Sequence, residues 1–134
     1  MDSTADLQKL TPFLMFEGQA DDAIALYTST FADASVVSVD RHTEGPAEGQ
    51  VLLAKLSIGG QEVLCMDSPA HHEFTFTPSV SLFVRCDSPE EIERLATTLS
   101  DGGAELMPLG DYGFSTRFAW VSDRFGVSWQ LHLR

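Results

Sequence analysis

In residues 127–133 the polar side chains Ser128, Gln130 and His132 alternate with Val127, Trp129, Leu131 and Leu133. That is the period of a β-strand with one polar face. A second run, residues 79–86, places Ser79, Ser81, Phe83 and Arg85 on one side. If both polar rows face inward, they line a pocket with hydroxyls, an amide and an imidazole among aromatic rings. Such groups bind a polar organic molecule by hydrogen bonds but make a weak acid–base set. If they face outward, they are the solvent side of a half-buried sheet. Arg117 lies inside an aromatic run with Phe114, Phe118 and Trp120. Its guanidinium suits a ligand carboxylate or phosphate, or an acid on a neighbouring strand. Phe118 and Trp120 share the side opposite Arg117, and with Tyr112 and Phe114 they offer either an aromatic wall or core packing. The ligand-binding candidates are therefore Ser79, Ser81, Arg117, Trp120, Gln130 and His132.

Other reactive side chains are scattered. His71, His72 and Glu73 are consecutive in a polar stretch, and neighbouring side chains rarely converge on one ion. Asp67 and Glu73 are the acids nearest a cavity mouth, and a carboxylate in apolar surroundings becomes a base when its pKa rises. His42 reads as a strand-end surface residue. Cys65 and Cys86 each sit inside an apolar run, as reduced packing thiols do. No Gly-rich turn leads from a strand into a helix, so a nucleotide-like cofactor has no evident seat. No metal and no cofactor are expected.

The elements that must position these residues follow from the change of period along the chain. Residues 1–9 read as a polar, frayed end. Residues 10–16 form a first strand, with Pro12 near its start. Ala20, Ala23, Ile24, Tyr27 and Phe31 recur at helical spacing, with Asp21 and Asp22 in the first turn, so a helix covers about 20–31. Strands follow over 34–42, 50–58 and 61–66, the last two joined by Gly59-Gly60. Residues 67–78 are a connection with no assigned element. Strand 79–86 precedes a helix whose start is explicit: Ser88 caps, Pro89 takes the first turn, and Glu91 reaches back as the capping-box acid. Ile92, Leu95, Ala96 and Leu99 form its buried stripe, and Gly102-Gly103 ends it. Strands over 104–109, 115–121 and 127–133 complete the chain. Each half thus reads β-α-β-β-β. The fold class expected is α+β: paired βαβββ modules, at 10–67 and 79–134, with helices packed outside curved sheets in a single domain over 1–134.

Lys and Arg number 8 against 20 Asp and Glu, a formal net charge of −12. Such a surface repels phosphate backbones and anionic membranes, so no nucleic acid and no membrane partner is expected, while a cationic ligand is tolerated or attracted. The first residues carry two acids and no apolar core, which predicts no signal peptide. No apolar run is long enough to span a bilayer. With reduced cysteines, these readings predict a cytoplasmic protein.

Several segments carry a family resemblance. Thr11-Pro12-Phe13-Leu14-Met15-Phe16 followed by Ala23-Ile24-Ala25-Leu26-Tyr27, the Ile58-Gly59-Gly60 turn, Met107-Pro108-Leu109, Arg117-Phe118 and Asp123-Arg124-Phe125-Gly126-Val127-Ser128-Trp129 resemble the 3-demethylubiquinone 3-methyltransferase-like subgroup. That subgroup falls within the vicinal-oxygen-chelate superfamily of glyoxalases, bleomycin-resistance proteins and dioxygenases. The resemblance spans nearly the whole chain. It implies paired βαβββ modules, a small organic ligand and, in metal-using members, His or Glu ligands from four strands. Carried over residue by residue, those positions fall near Phe13, near Cys65 or Asp67, on Ser79 with Ser81 beside it, and on Gln130. Gln, Ser and Phe are poor or null metal ligands. The function expected is therefore metal-free binding or sequestration of a small organic molecule by a homodimer. The alternatives are a glyoxalase-like isomerase or lyase acting on a small polar metabolite, and an oligomeric structural module without an open pocket.

Overall fold

The computed structural model describes residues 7–134; residues 1–6 of the expected frayed end lie outside the described residues. The chain divides into two compact units, one ending at His72 and the other beginning at Glu73.

The first unit runs β1 (Phe13–Phe16), α1 (Ala20–Thr30), β2 (Ala34–Arg41), β3 (Val51–Ile58) and β4 (Gln61–Asp67). Its sheet has the order β1-β4-β3-β2, with β1 parallel to β4 and the other pairs antiparallel. Gly59 and Gly60 join β3 to β4 with φ of 58° and 84°, the left-handed pair that a two-residue hairpin turn needs. Ala20, Ala23, Ile24 and Tyr27 of α1 are buried, as are Leu14, Phe16, Ala54, Leu56, Val63 and Cys65 of the sheet. Each large aliphatic side chain so buried contributes roughly 1.5–3 kcal/mol.

The second unit repeats the order: β5 (Ser81–Arg85), α2 (Pro89–Ser100), β6 (Ala104–Gly110), β7 (Arg117–Ser122) and β8 (Ser128–Leu133). Its sheet runs β5-β8-β7-β6, again with the first pair parallel. Two mixed four-stranded sheets, each with one helix, make the α+β class and the doubled βαβββ order that the periodicities predict.

The two helices start differently. At α2 the hydroxyl of Ser88 accepts from Glu91 N at 3.1 Å, and Pro89 follows. The Glu91 carboxylate accepts from Asp87 N at 2.6 Å, one residue further back than the capping-box reading places it. At α1 the N-cap Gln19 supplies no side-chain bond. Instead Asp67, at the end of β4, accepts from Gly18 N at 2.8 Å and from Ala20 N at 3.0 Å. Its second oxygen faces Val51 N at 3.4 Å. Asp67 is thus the cap of α1, supplied from a distant strand, and its buried carboxylate is occupied by backbone donors.

Strand β5 is shorter than the sequence period suggests. It begins at Ser81, and Ser79 lies in the turn before it. The exit of α2 is tight. A Cβ on Gly103 would stand 2.0 Å from Ser122 O and 2.7 Å from Asp123 C. This glycine lets the turn after α2 pass against the end of β7, and the backbone leaves no room there for a phosphate.

Candidate functional site

Register decides which face each candidate takes, because residues paired across neighbouring strands point to the same side. Arg117, Ala119 and Val121 of β7 oppose Leu133, Leu131 and Trp129 of β8. Ala119, Val121, Trp129 and Leu131 are buried, and α2 packs on β7, β8 and β6. Arg117 shows which side this is, since its guanidinium pairs with Glu93 of α2. The opposite side of the sheet carries Phe118 and Trp120 of β7, opposed by His132 and Gln130 of β8. It also carries Ser128, and Ser81, Phe83 and Arg85 of β5 in register with Ser128, Gln130 and His132.

On that helix-free face the polar side chains form one hydrogen-bonded string. The indole N–H of Trp120 donates to Ser128 Oγ at 2.8 Å. Ser128 Oγ and Ser81 Oγ are 2.7 Å apart. Gln130 Nε2 donates to Ser81 Oγ at 3.2 Å, and its amide carbonyl is left as an acceptor. His132 lies beside this string, its ring 5.7 Å from that of Phe83. Beyond His132, Phe118 is covered by two rings of the loop between β6 and β7. Phe114 meets it edge-on at 4.9 Å and Tyr112 at 6.1 Å.

Of the six candidates, Ser81, Trp120, Gln130 and His132 come together on this face, and Ser128 joins them as the buried centre of the string. Two stand apart. Ser79 bonds Thr77 Oγ1 at 2.8 Å in the exposed turn before β5. Arg117 points to the α2 side, held by Glu93. Its parity opposite Trp120 was legible in the alternation of β7, whereas its partner, 24 residues away on a helix, was not.

The loop histidines have separate partners. His71 Nδ1 lies 3.0 Å from Glu17 Oε1, while His72 Nε2 lies 2.8 Å from Ser68 Oγ. The bond from His71 holds the Glu17 carboxyl below its usual range. Glu17, Gln50, Ser68 and His71 line a groove of about 270 Å³ in the first unit. Among the described residues, no three His, Cys, Asp or Glu side chains gather as a metal site would require.

The donor set on the sheet face does not fit a metal ion. Hydroxyls and a carboxamide are neutral, these ones are bonded to one another, and His132 is the single imidazole beside them, whereas a divalent ion wants several anionic or imidazole ligands converging. Phe13 has no donor atom. The Asp67 carboxylate is taken up by backbone N–H groups, and burial pushes the Cys65 thiol up to about 12.

Residues 8–132 match the profile of a family described as 3-demethylubiquinone-9 3-methyltransferase. The chain belongs to that family. The PhnB protein of Bacillus cereus is 50% identical over 95% of this chain and 100% of its own, with a TM-score of 0.90. Protein PA1353 of Pseudomonas aeruginosa is 24% identical over 96% of this chain and 98% of its own, with a TM-score of 0.81. The fosfomycin resistance protein FosX of Listeria monocytogenes, in complex with Mn(II) and 1S,2S-dihydroxypropylphosphonic acid, is 12% identical over 94% of this chain and 92% of its own, with a TM-score of 0.63. The last two likenesses are of fold, and the fold is that of the vicinal-oxygen-chelate superfamily. A comparison with curated proteins gives no match.

Within the family's sequence, the segment from Asp123 to Trp129 has a structural explanation. Asp123 is buried, and its carboxylate accepts from Phe125 N at 2.9 Å, Val127 N at 3.0 Å and Trp129 Nε1 at 2.9 Å. The motif is a self-bracing hairpin turn that sets β8, and with it Ser128, Gln130 and His132, in register against β7. The family's description names a methyl transfer. Gly102 and Gly103 follow α2 instead of leading into it, and the space around Gly103 is filled by backbone. The seat for a nucleotide-like methyl donor is not formed there.

Proposed function

We propose that this protein binds a small organic molecule, without a metal, on the helix-free face of the β5-β8-β7-β6 sheet. The observation that carries this reading is the continuous string Trp120–Ser128–Ser81–Gln130. A string of neutral donors and acceptors whose members fix one another is a preorganised surface for a polar guest, since little rotamer freedom remains to be lost on binding. Neither serine bonds an imidazole, so neither is set up as an activated nucleophile. The Gln130 carbonyl accepts from the guest, and the flanking rings of Phe83 and His132 cover apolar parts of it.

A homodimer in the cytoplasm, with 1–134 acting as one domain built of modules 10–67 and 79–134, completes the proposal. Among the described residues no helix is long and apolar enough to cross a membrane.

The test is native mass spectrometry beside elemental analysis of untagged protein. A dimer mass plus a small bound molecule, with no stoichiometric metal, is the expected result. The guest should be lost from Ser81→Ala and Gln130→Leu variants while the fold persists. Stoichiometric Mn, Ni, Zn or Fe that leaves together with the guest on chelation would overturn the metal-free reading. A guest indifferent to both substitutions would remove this face from consideration.

A further inference from the structure

Beside the polar string, the helix-free face carries a row of rings. Phe83 is in ring contact with His132, which Phe118 opposes in register. Phe114 and Tyr112 stand over Phe118, their own rings nearly parallel at 18° and 6.2 Å apart. Phe118 is buried, yet Phe83 and Phe114 are each 62% exposed and Tyr112 is 40% exposed. The loop that carries Tyr112 and Phe114 is braced from within. Tyr112 Oη bonds Pro108 O at 2.5 Å, and the Asp111 carboxylate accepts from Gly113 N at 2.9 Å. Exposed rings are therefore held at one end of the face, with Phe83 in register with Gln130 of the hydrogen-bonded string.

The charges around these rings select the sign of what stacks there. Asp111, adjacent to Tyr112, is an exposed carboxylate. Arg85, in register with His132, has its charge partly offset by Asp87 in an exposed ion pair. The chain as a whole carries −12, and its long-range field draws cations in and turns anions away. Aromatic faces add to this, since the ring quadrupole attracts positive charge and parallel rings stack on flat guests.

We infer that Phe83, His132, Phe114 and Tyr112 form a subsite for a planar aromatic cation, which stacks on the rings while its polar edge reaches the Trp120–Ser128–Ser81–Gln130 string. This rests on the binding reading above and names the chemical class of the guest.

Proflavine, a flat tricyclic cation, serves as the probe, with binding read by fluorescence polarisation. Naphthalene-2-sulfonate is the flat anion and tetramethylammonium the cation without a ring face, both as competitors. The expected result is saturable binding of one proflavine per chain and no displacement by either competitor. Affinity should fall roughly three- to thirtyfold in each of Phe83→Ala and Phe114→Ala. Because both rings are exposed, their removal leaves the fold intact, which circular dichroism checks. Phe74→Ala, another exposed ring of the same unit, should bind as the parent does. Binding that survives both substitutions, or falls equally in Phe74→Ala, would overturn the subsite, as would equal binding of the sulfonate. If a guest is lost from Ser81→Ala and Gln130→Leu while Phe83→Ala and Phe114→Ala are silent, the aromatic subsite falls and the binding face stands. If all four are silent, both fall.

Discussion

The indole N–H of Trp120 reaches the hydroxyl of Ser128 on the neighbouring strand, 2.8 Å away. Ser128 is itself buried and meets Ser81 on its other side. One hydroxyl thus joins three strands, β7, β8 and β5, on the face opposite α2. Removing it leaves an indole N–H and a serine hydroxyl short of a partner.

Ser128→Ala should therefore cost about 1–3 kcal/mol, the penalty for stranding part-buried polar groups, read as a lower urea midpoint at unchanged slope. Guest affinity should fall with it. Unchanged stability would show that the string is an incidental contact.

Arg117→Met should behave in the opposite way. Its guanidinium belongs to the α2 side through Glu93, and the pair is partly exposed, at 32% and 54% of the two side chains. Such a pair contributes up to about 1 kcal/mol and is weakened by salt. A small, salt-dependent loss of stability with unaltered guest binding is expected. A variant that folds normally but no longer binds would return Arg117 to the site.

These contrasts mark what could be read in advance. Alternation in β7 and β8 separates Arg117 from Trp120 and groups Ser128, Gln130 and His132, because a strand has a period of two and burial enforces it. The start of α2 was legible for a related reason: its cap Ser88, Pro89 and the acid Glu91 fall within four residues. The start of α1 at Ala20 was legible in the change of period, but its cap was not, since that cap is Asp67, 47 residues beyond Ala20. A carboxylate that looks like a candidate base is in fact a strand-to-helix tie. Ser79 was placed with Ser81 by the same alternation, but pairing with Ser128 begins only at Ser81, and nothing local marks that boundary. The rings over Phe118 come from a loop, where no period applies.

Asp67→Asn tests that tie. Asn keeps one acceptor oxygen but replaces the other with a donor, facing backbone N–H groups that can only donate. The expected loss is about 1.5–3 kcal/mol, the range for hydrogen bonds to a charged group. Amide exchange should quicken at Gly18, Ala20 and Val51, the three donors. Exchange unchanged at those amides would remove Asp67 from the role of cap.

The two cysteines give the pH dependence. Burial is the largest cause in both, pushing Cys65 up to about 12 and Cys86 up to about 11 from an ordinary 9.0. Nearby carboxylates, Asp67 for Cys65 and Glu91 for Cys86, push the same way. A raised folded-state value means that the unfolded chain releases the thiol proton first as pH rises. The resulting stability is whole below the unfolded value, near 9, and is lost as pH climbs through the folded values near 11 and 12. At pH 8 iodoacetamide should therefore leave the folded protein unmodified and alkylate both thiols in urea, because the thiolate is the nucleophile. Between pH 8 and about 10.5, a step that crosses the ordinary thiol value of 9.0, the parent should lose more stability than a Cys65→Ala, Cys86→Ala double variant. That comparison subtracts the lysine and tyrosine titrations common to both proteins. Equal losses in the two, or rapid alkylation of the folded chain, would mean that the thiols are open to water.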